Sequence, residues 1–456
     1  VPAVVSYYDI PGERQLDYPA ICCFAALGFF LDDDTYFTNR KAFRPATDYI
    51  FDEHGEVLSK SRWFEWHYQP RNISFHQALD EFTQVLESIV SAETQDKKVL
   101  LPVSGGLDSR TLAAVVAPRN DIQIYSYQFE NGIRENDFGA AVARAMSFPF
   151  TGYTIPRGYL WNRIDELAQL NGCYAEFLNP RQMAVLDDLR GKGDIFLLGH
   201  GGDLFFDSMG VRDDLRPVDQ LTYLIKKLVK PEGLELGSAL WKSWALQGDF
   251  KDYLISRLEH LLNRLNPDNA NARLRAFKTE YYVARWTAVN LALFRSLMPV
   301  SLPFFHDDMC RFICTVPEKF LAGRQLEIAY LKTKQPELAR IPWQKVYPCN
   351  LYNYHRFNNF DIKFQRVLIK IKRELVKYVS GKRSDTPNWE LQFKGKVNGS
   401  YLEKYLCTEW NPTFIPGEIP FNFLQLFKKH GKPHVNAVSM LLTLHFFQKY
   451  FLNEQV

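Results

Sequence analysis

The stretch Val99-Leu100-Leu101-Pro102-Val103-Ser104-Gly105-Gly106-Leu107-Asp108-Ser109 decides the reading of this chain. Five apolar residues end in two glycines, then an acid and a hydroxyl, and the helix-like run Arg110–Val116 follows. The order predicts a buried strand, a tight turn and a helix start. Unpaired backbone N–H groups and the partial positive charge of a helix N-terminus suit such a turn to a phosphate. Gly105 and Gly106 let an anion approach the backbone where a Cβ would block it. Asp108 would repel a bare phosphate, so its presence implies a divalent cation between carboxylate and pyrophosphate. The spacing lacks the Lys-Ser/Thr of a Walker A loop.

Outward from this loop, the pattern alternates. Strands are predicted at Val99–Val103, Ile122–Phe129, Phe150–Ile155 and Ile195–Leu198, with helices near Ser109–Ala117, Glu135–Met146, Tyr159–Leu170 and Arg181–Leu189. Apolar strands separated by helices predict an α/β fold, a parallel sheet with helices on both faces. Ligands of such sheets bind beyond the carboxyl ends of the strands. A second glycine turn, Leu198-Gly199-His200-Gly201-Gly202-Asp203, ends the strand at 195–198. It repeats the logic of the first, and Asp108 and Asp203 are expected to share one Mg²⁺ bridging a triphosphate.

Before the sheet, a helix is expected around Pro19–Leu31, a hairpin from Tyr49–Phe51 and Val57–Ser59, and a helix over Phe75–Glu93. After about residue 214 the chain reads as mainly helical. Asp361–Arg383 carries Lys363, Arg366, Lys370, Lys372, Arg373, Lys377, Lys382 and Arg383 around an apolar stripe of Phe364, Leu368, Ile371 and Leu375. That segment predicts a solvated amphipathic helix packed on the core; a surface for acidic lipid or polysaccharide is the alternative.

Bulk numbers bound the class. A length of 456 residues predicts two or three domains, and 46% apolar with 23% charged residues excludes extensive disorder. A net charge of +3 disfavours nucleic acid as a partner. Seven scattered cysteines form no zinc-ligand set or disulfide framework, which fits a reducing cytoplasm. The apolar runs Ile21–Leu31 and Ser439–Phe447 are too short to span a bilayer. No signal peptide is visible, and the opening at Val1 suggests a start inside a longer natural chain.

From Phe75 to Tyr347 the sequence resembles the asparagine synthetase-type amidotransferases. Ser104–Ser109 matches their pyrophosphatase loop, and Gly199–Asp203 their second loop, usually Gly-Glu-Gly-Gly/Ala/Ser-Asp. Leu302–Asp308 resembles their Pro-Phe-Leu-Asp segment, and Pro336–Lys345 the segment carrying an active-site lysine. The resemblance implies an adenine nucleotide alpha-hydrolase-like (PP-loop) fold over residues 71–350, a vestigial or partial glutaminase-like α+β remnant over 1–70, and a helical extension over 351–456. It implies ATP and Mg²⁺, activation of a small-molecule or peptide carboxylate as an acyl-adenylate with release of pyrophosphate, and attack by ammonia or an amine. Asp108 and Asp203 would be the metal ligands. Ser104, Gly106 and Ser109 would cradle pyrophosphate, Leu101, Tyr127 and Gly199 would hold the adenosine through backbone contacts, and Gly105, Asp108 and Gly201 would complete the cofactor-binding set. Lys345 and His200 would be catalytic, the lysine neutralising the reacting centre.

Departures are visible. His200 replaces the family's glutamate, and His306 an acid, although Asp307 and Asp308 follow. Residues 20–66 resemble only the last part of a glutaminase domain, and Cys22 and Cys23 lie in an apolar helix. Upstream residues, free ammonia, a separate glutaminase or an amine substrate would then supply nitrogen. A peptide macrolactam cyclase of the same family, a tRNA-modifying PP-loop enzyme and a degenerate nucleotide-binding scaffold are the alternatives.

Overall fold

A computed structural model describes residues 6–116, 121–380 and 386–452. Val1, Ala117, Lys382 and Arg383 lie outside the described residues, as do the side chains of Lys370, Lys372, Arg373, Leu375 and Lys377.

Strands β1 (Tyr7–Asp9) and β2 (Arg40–Ala42) pair antiparallel around helix α1 (Tyr18–Leu27), and β3 (Thr47–Phe51) and β4 (Val57–Arg62) form the expected hairpin. Helix α1 ends four residues before the predicted Leu31. Gly28 takes φ of 81° there and its N–H closes on the Phe24 carbonyl at 2.7 Å, a left-handed stop that apolar periodicity does not reveal. Helix α2 (Phe75–Thr94) opens with a capping box between Ser74 and Gln77.

The central sheet is parallel. Strands β5 (Val99–Pro102), β6 (Ile122–Phe129), β7 (Phe150–Ile155), β8 (Ile195–Leu197) and β9 (Val300–Ser301) lie in the order β7-β6-β5-β8-β9. Its residues alternate between two cores. Val99, Leu101 and Val103 pack with Ile124 and Leu197 on one face, Leu100 with Tyr125, Phe196 and Leu198 on the other. Burial on both faces explains why these strands read as continuous apolar runs. Helices α3 (Asp108–Val115), α4 (Glu135–Met146) and α5 (Tyr159–Asn171) fall where the pattern predicts them.

Two expectations need correction. The segment Arg181–Leu189 is a 3-10 turn over Arg181–Val185 before one α turn, Leu186–Leu189. Within the helical second half, Val300–Ser301 adds an edge strand, too short to leave a periodic signal.

The basic segment is a helix, Phe360–Ser380, yet its apolar stripe is not packed on the core. Phe364, Leu368 and Ile371 are 55%, 49% and 51% exposed, while Ile362 turns inward at 6%. Amphipathic periodicity gives the stripe but not what covers it. None of the described helices is long and apolar enough to cross a membrane.

The helix Val435–Phe447 is buried throughout, and carries His445 with no hydrogen-bond partner at Nδ1. Burial, with Lys449 beside it, lowers the His445 pKa from 6.5 to about 4. The unfolded chain therefore binds a proton that the native state refuses, and stability is lost as pH falls through that window. The urea midpoint is expected to drop between pH 6.5 and about 4, and His445→Phe to flatten that drop.

Candidate active site

The chain turns outward from β5 to β6 and β7, then crosses back to place β8 and β9 on the other side, so β5 and β8 are neighbours at a topological switch point. Both strands are parallel, and their following loops leave from the same end of the sheet. Ser104 N–H donates to the Ser109 hydroxyl at 3.2 Å and Gly106 N–H to the Ser104 hydroxyl at 3.3 Å, which folds the first loop onto the start of α3.

The two loops touch. A Cβ on Gly199 would stand 2.8 Å from the Asp108 Cβ, and one on Gly202 would stand 2.5 Å from Asp108 Oδ1. Gly201 has φ of 97° and its missing Cβ is 2.7 Å from the Phe305 ring. Glycine is thus required for close approach at these three positions. Asp203 lies in the one-turn helix Gly202–Phe205 that follows.

A cavity of about 1240 Å³ opens over this junction. Ser104, Gly106, Asp108, Ser109, Tyr127, Gly199, His200, Gly201, Asp203 and Lys345 all line it. Two of the expected contacts do not. Leu101 is fully buried inside β5, and the lining begins at Pro102. Gly105 is covered by Gln344, whose Cβ lies 2.6 Å from the place of a glycine Cβ. His306 and the two aspartates after it are also outside the lining; His306 caps the helix Asp307–Ile313 by accepting the Asp308 N–H at 3.2 Å.

Five residues to which motif reading gives no role hold the site together. Arg324 pairs with Asp108 and with the fully buried Glu327, and reaches them from a left-handed turn in which Gly323 and Arg324 have φ of 71° and 63°. Glu135, the first residue of α4, accepts the Gly105 N–H at 3.2 Å and the Gln344 amide at 2.7 Å. Arg110 is buried and donates to the carbonyls of Leu338, Ile341 and Pro342 at 3.2, 2.8 and 2.9 Å. It thereby fixes the segment that leads to Lys345. Burial alone lowers its pKa to about 10, still high enough to stay charged near neutrality.

Lys345 projects into solvent at the rim, its side chain 66% exposed, with Nζ 3.7 Å from Asp207 Oδ2. Asp207 also accepts the Gly323 N–H at 2.9 Å, which links the lysine to the Arg324 turn. His200 faces the edge of Phe294 and its Nδ1 has no partner. Burial lowers its pKa against the opposing pull of Asp203, so the imidazole is neutral at pH 7.

No group of three or more His, Cys, Asp or Glu side chains gathers around a metal-sized point among the described residues. Magnesium does not need one. It is ordinarily held by one or two carboxylates together with substrate phosphates and water. Asp108 and Asp203 fit that donor set, with one Asp108 oxygen already given to Arg324.

Arg275 anchors the second loop from below. It donates to the Leu204 and Asp207 carbonyls at 3.2 and 3.1 Å and pairs with buried Glu318 at 2.5 and 2.8 Å. Arg275→Met would leave Glu318 buried and unpaired, and a loss of about 3–5 kcal/mol is expected in urea unfolding. His200 should titrate below the ordinary histidine value in an NMR pH series, and its neutral form should dominate at pH 7.

Comparison with known proteins bears on the family. A profile described as asparagine synthase matches residues 81–326, more than half of the chain. No curated protein sequence matches. Among solved structures, an NMN synthetase from Francisella tularensis aligns at 11% identity over 49% of this chain and 95% of that one, with a TM-score of 0.22, too loose a likeness to bear on the site. The profile spans the sheet and both glycine loops with their carboxylates, and on that match the chain belongs to the asparagine synthase family.

Proposed function

We propose that this chain is a carbon–nitrogen ligase that activates a carboxylate with ATP, releasing pyrophosphate, and transfers the acyl group to ammonia or an amine. The observation that carries this reading is that the glycine loops bearing Asp108 and Asp203 abut and that both aspartates line one cavity. Residues 71–350 would hold the catalytic unit. Residues 1–70 would be a vestigial or partial glutaminase-like unit in which Cys22 and Cys23 are not nucleophiles, since both are fully buried and burial pushes their thiols up. Residues 351–456 would be an extension.

In the first step a substrate carboxylate oxygen attacks the α phosphorus, and the bond from that phosphorus to the bridging oxygen breaks. Pyrophosphate leaves with the electron pair. The hydroxyls of Ser104 and Ser109 would receive it, and Arg324 and Lys345 would offer positive charge. The Ser104, Gly105 and Gly106 N–H groups, expected to be unpaired, are already given to Ser109, Glu135 and Ser104. Magnesium, held by Asp108 and Asp203, would neutralise the phosphate charge. Tyr127 lines the cavity at the end of β6, where the nucleoside would lie. In the second step the nitrogen attacks the acyl carbon and AMP departs. Neutral His200, which lines the cavity, would take the proton that the nitrogen loses.

Pyrophosphate release, measured on the full natural chain against a panel of carboxylates with ammonia or amines, tests the reading. AMP and pyrophosphate are expected, and ADP with phosphate would overturn it. Asp108→Ala or Asp203→Ala should abolish turnover. Lys345→Ala should lower it about 10²–10³-fold, the loss typical of one charge stabiliser, and an unchanged rate would remove the lysine from the mechanism. Arg324→Gln should weaken ATP binding about 10–100-fold, the range for one charge-assisted hydrogen bond in a partly buried site.

A further inference from the structure

The Phe360–Ser380 helix plays no part in the cavity, and its surface does not suit a helix surrounded by water. Phe360, Phe364, Val367, Leu368 and Ile371 are 85%, 55%, 52%, 49% and 51% exposed. Their spacing of four, three, one and three residues puts them on one side of the helix. Ile362, about half a turn away, is the inward contact at 6% exposure. Five large apolar side chains left open in one stripe exceed the scattered exposure that ordinary surfaces show.

The charge that the sequence gives the rest of this helix narrows the choice of what covers the stripe. The sequence from 360 to 380 has six Lys or Arg (363, 366, 370, 372, 373 and 377) against two acids, Asp361 and Glu374. Asp361 is already paired with Arg356. A second copy of the same helix would bring like charges together. A soluble acidic polysaccharide would satisfy the cations and leave the phenylalanines in water. An anionic bilayer satisfies both, because apolar side chains enter the acyl boundary while lysines and arginines meet the headgroups. At 1.5 Å per residue the helix is roughly 30 Å long, enough to lie along such a surface. Its composition is too charged for it to cross one.

We propose that the Phe360–Ser380 helix lies in the plane of an anionic lipid surface and docks the protein on it. The helix makes this a peripheral, salt-sensitive association.

Vesicle co-sedimentation of the full chain tests it, with phosphatidylcholine vesicles compared with vesicles containing about a third phosphatidylglycerol. Pelleting is expected with the anionic vesicles and should fall as salt is raised from about 0.1 to 0.5 M, where screening shortens the reach of each charge. The double substitution Phe364→Asp and Leu368→Asp should lower affinity tenfold or more, about the effect of losing one or two buried large apolar side chains. Because both positions are exposed, its thermal unfolding midpoint should match the wild type. Lys363→Gln with Arg366→Gln should weaken binding several-fold and reduce its salt dependence. Equal pelleting of wild type and the Phe364→Asp, Leu368→Asp variant would overturn the proposal. So would binding to soluble dextran sulfate with none to vesicles, or a concentration-dependent dimer that the same substitutions dissolve while vesicle binding is absent.

Discussion

Between the Asp108 carboxylate and the backbone of the Gly199–Gly202 loop there is no room for a Cβ. That contact depends on β5 and β8 being adjacent and parallel, so that both loops leave the sheet at one end and side by side. The sheet in turn depends on strands apolar enough to be buried on both faces, with Leu100 and Leu101 facing different cores. Strand pairing, glycine at three loop positions and the first turn of α3 are therefore parts of one constraint. Relaxing any of them separates the two aspartates that line the cavity.

Positive charge around this junction is supplied by side chains that the loops themselves do not contain. Arg324 reaches Asp108 from a turn more than two hundred residues later, held by buried Glu327. Arg110 and Arg275 act from underneath, tying carbonyls of the lysine-bearing segment and of the second loop into fixed positions. Both guanidiniums are buried; Arg110 gives three hydrogen bonds to carbonyls, and Arg275 gives two to carbonyls and two to the Glu318 carboxylate. Such groups are costly to leave unpaired, so the segments they hold are kept where the cavity needs them. By contrast Lys345 and its neighbour Asp207 meet loosely at the rim, where a mobile charge can follow a reacting group.

Much of this is legible in the sequence. The β6, α4 and β7 boundaries follow from local apolar periods, and each glycine loop is announced by the strand before it. Short motifs point to Asp108, Asp203, His200 and Lys345, and each lines the cavity. Leu101 was not brought there, because an alternating strand points it into the core one residue before the lining starts. Arg324, Glu135 and Gln344 carried no signal: each is an ordinary polar residue in its own segment and acquires a role only through a partner far along the chain.

Local sequence thus determined what depends on neighbours within a few positions: strand and helix periods, turn glycines, and the chemical types at the loops. Tertiary structure alone decided what depends on distant segments meeting in space. It set the adjacency of β5 and β8, the pairing of Arg324 with Asp108, the edge strand Val300–Ser301, and the exposure of the Phe364–Ile371 stripe. The physical reason is that a hydrophobic period records which side of an element is apolar, while the element that covers that side, or leaves it open, is fixed only when the chain closes on itself.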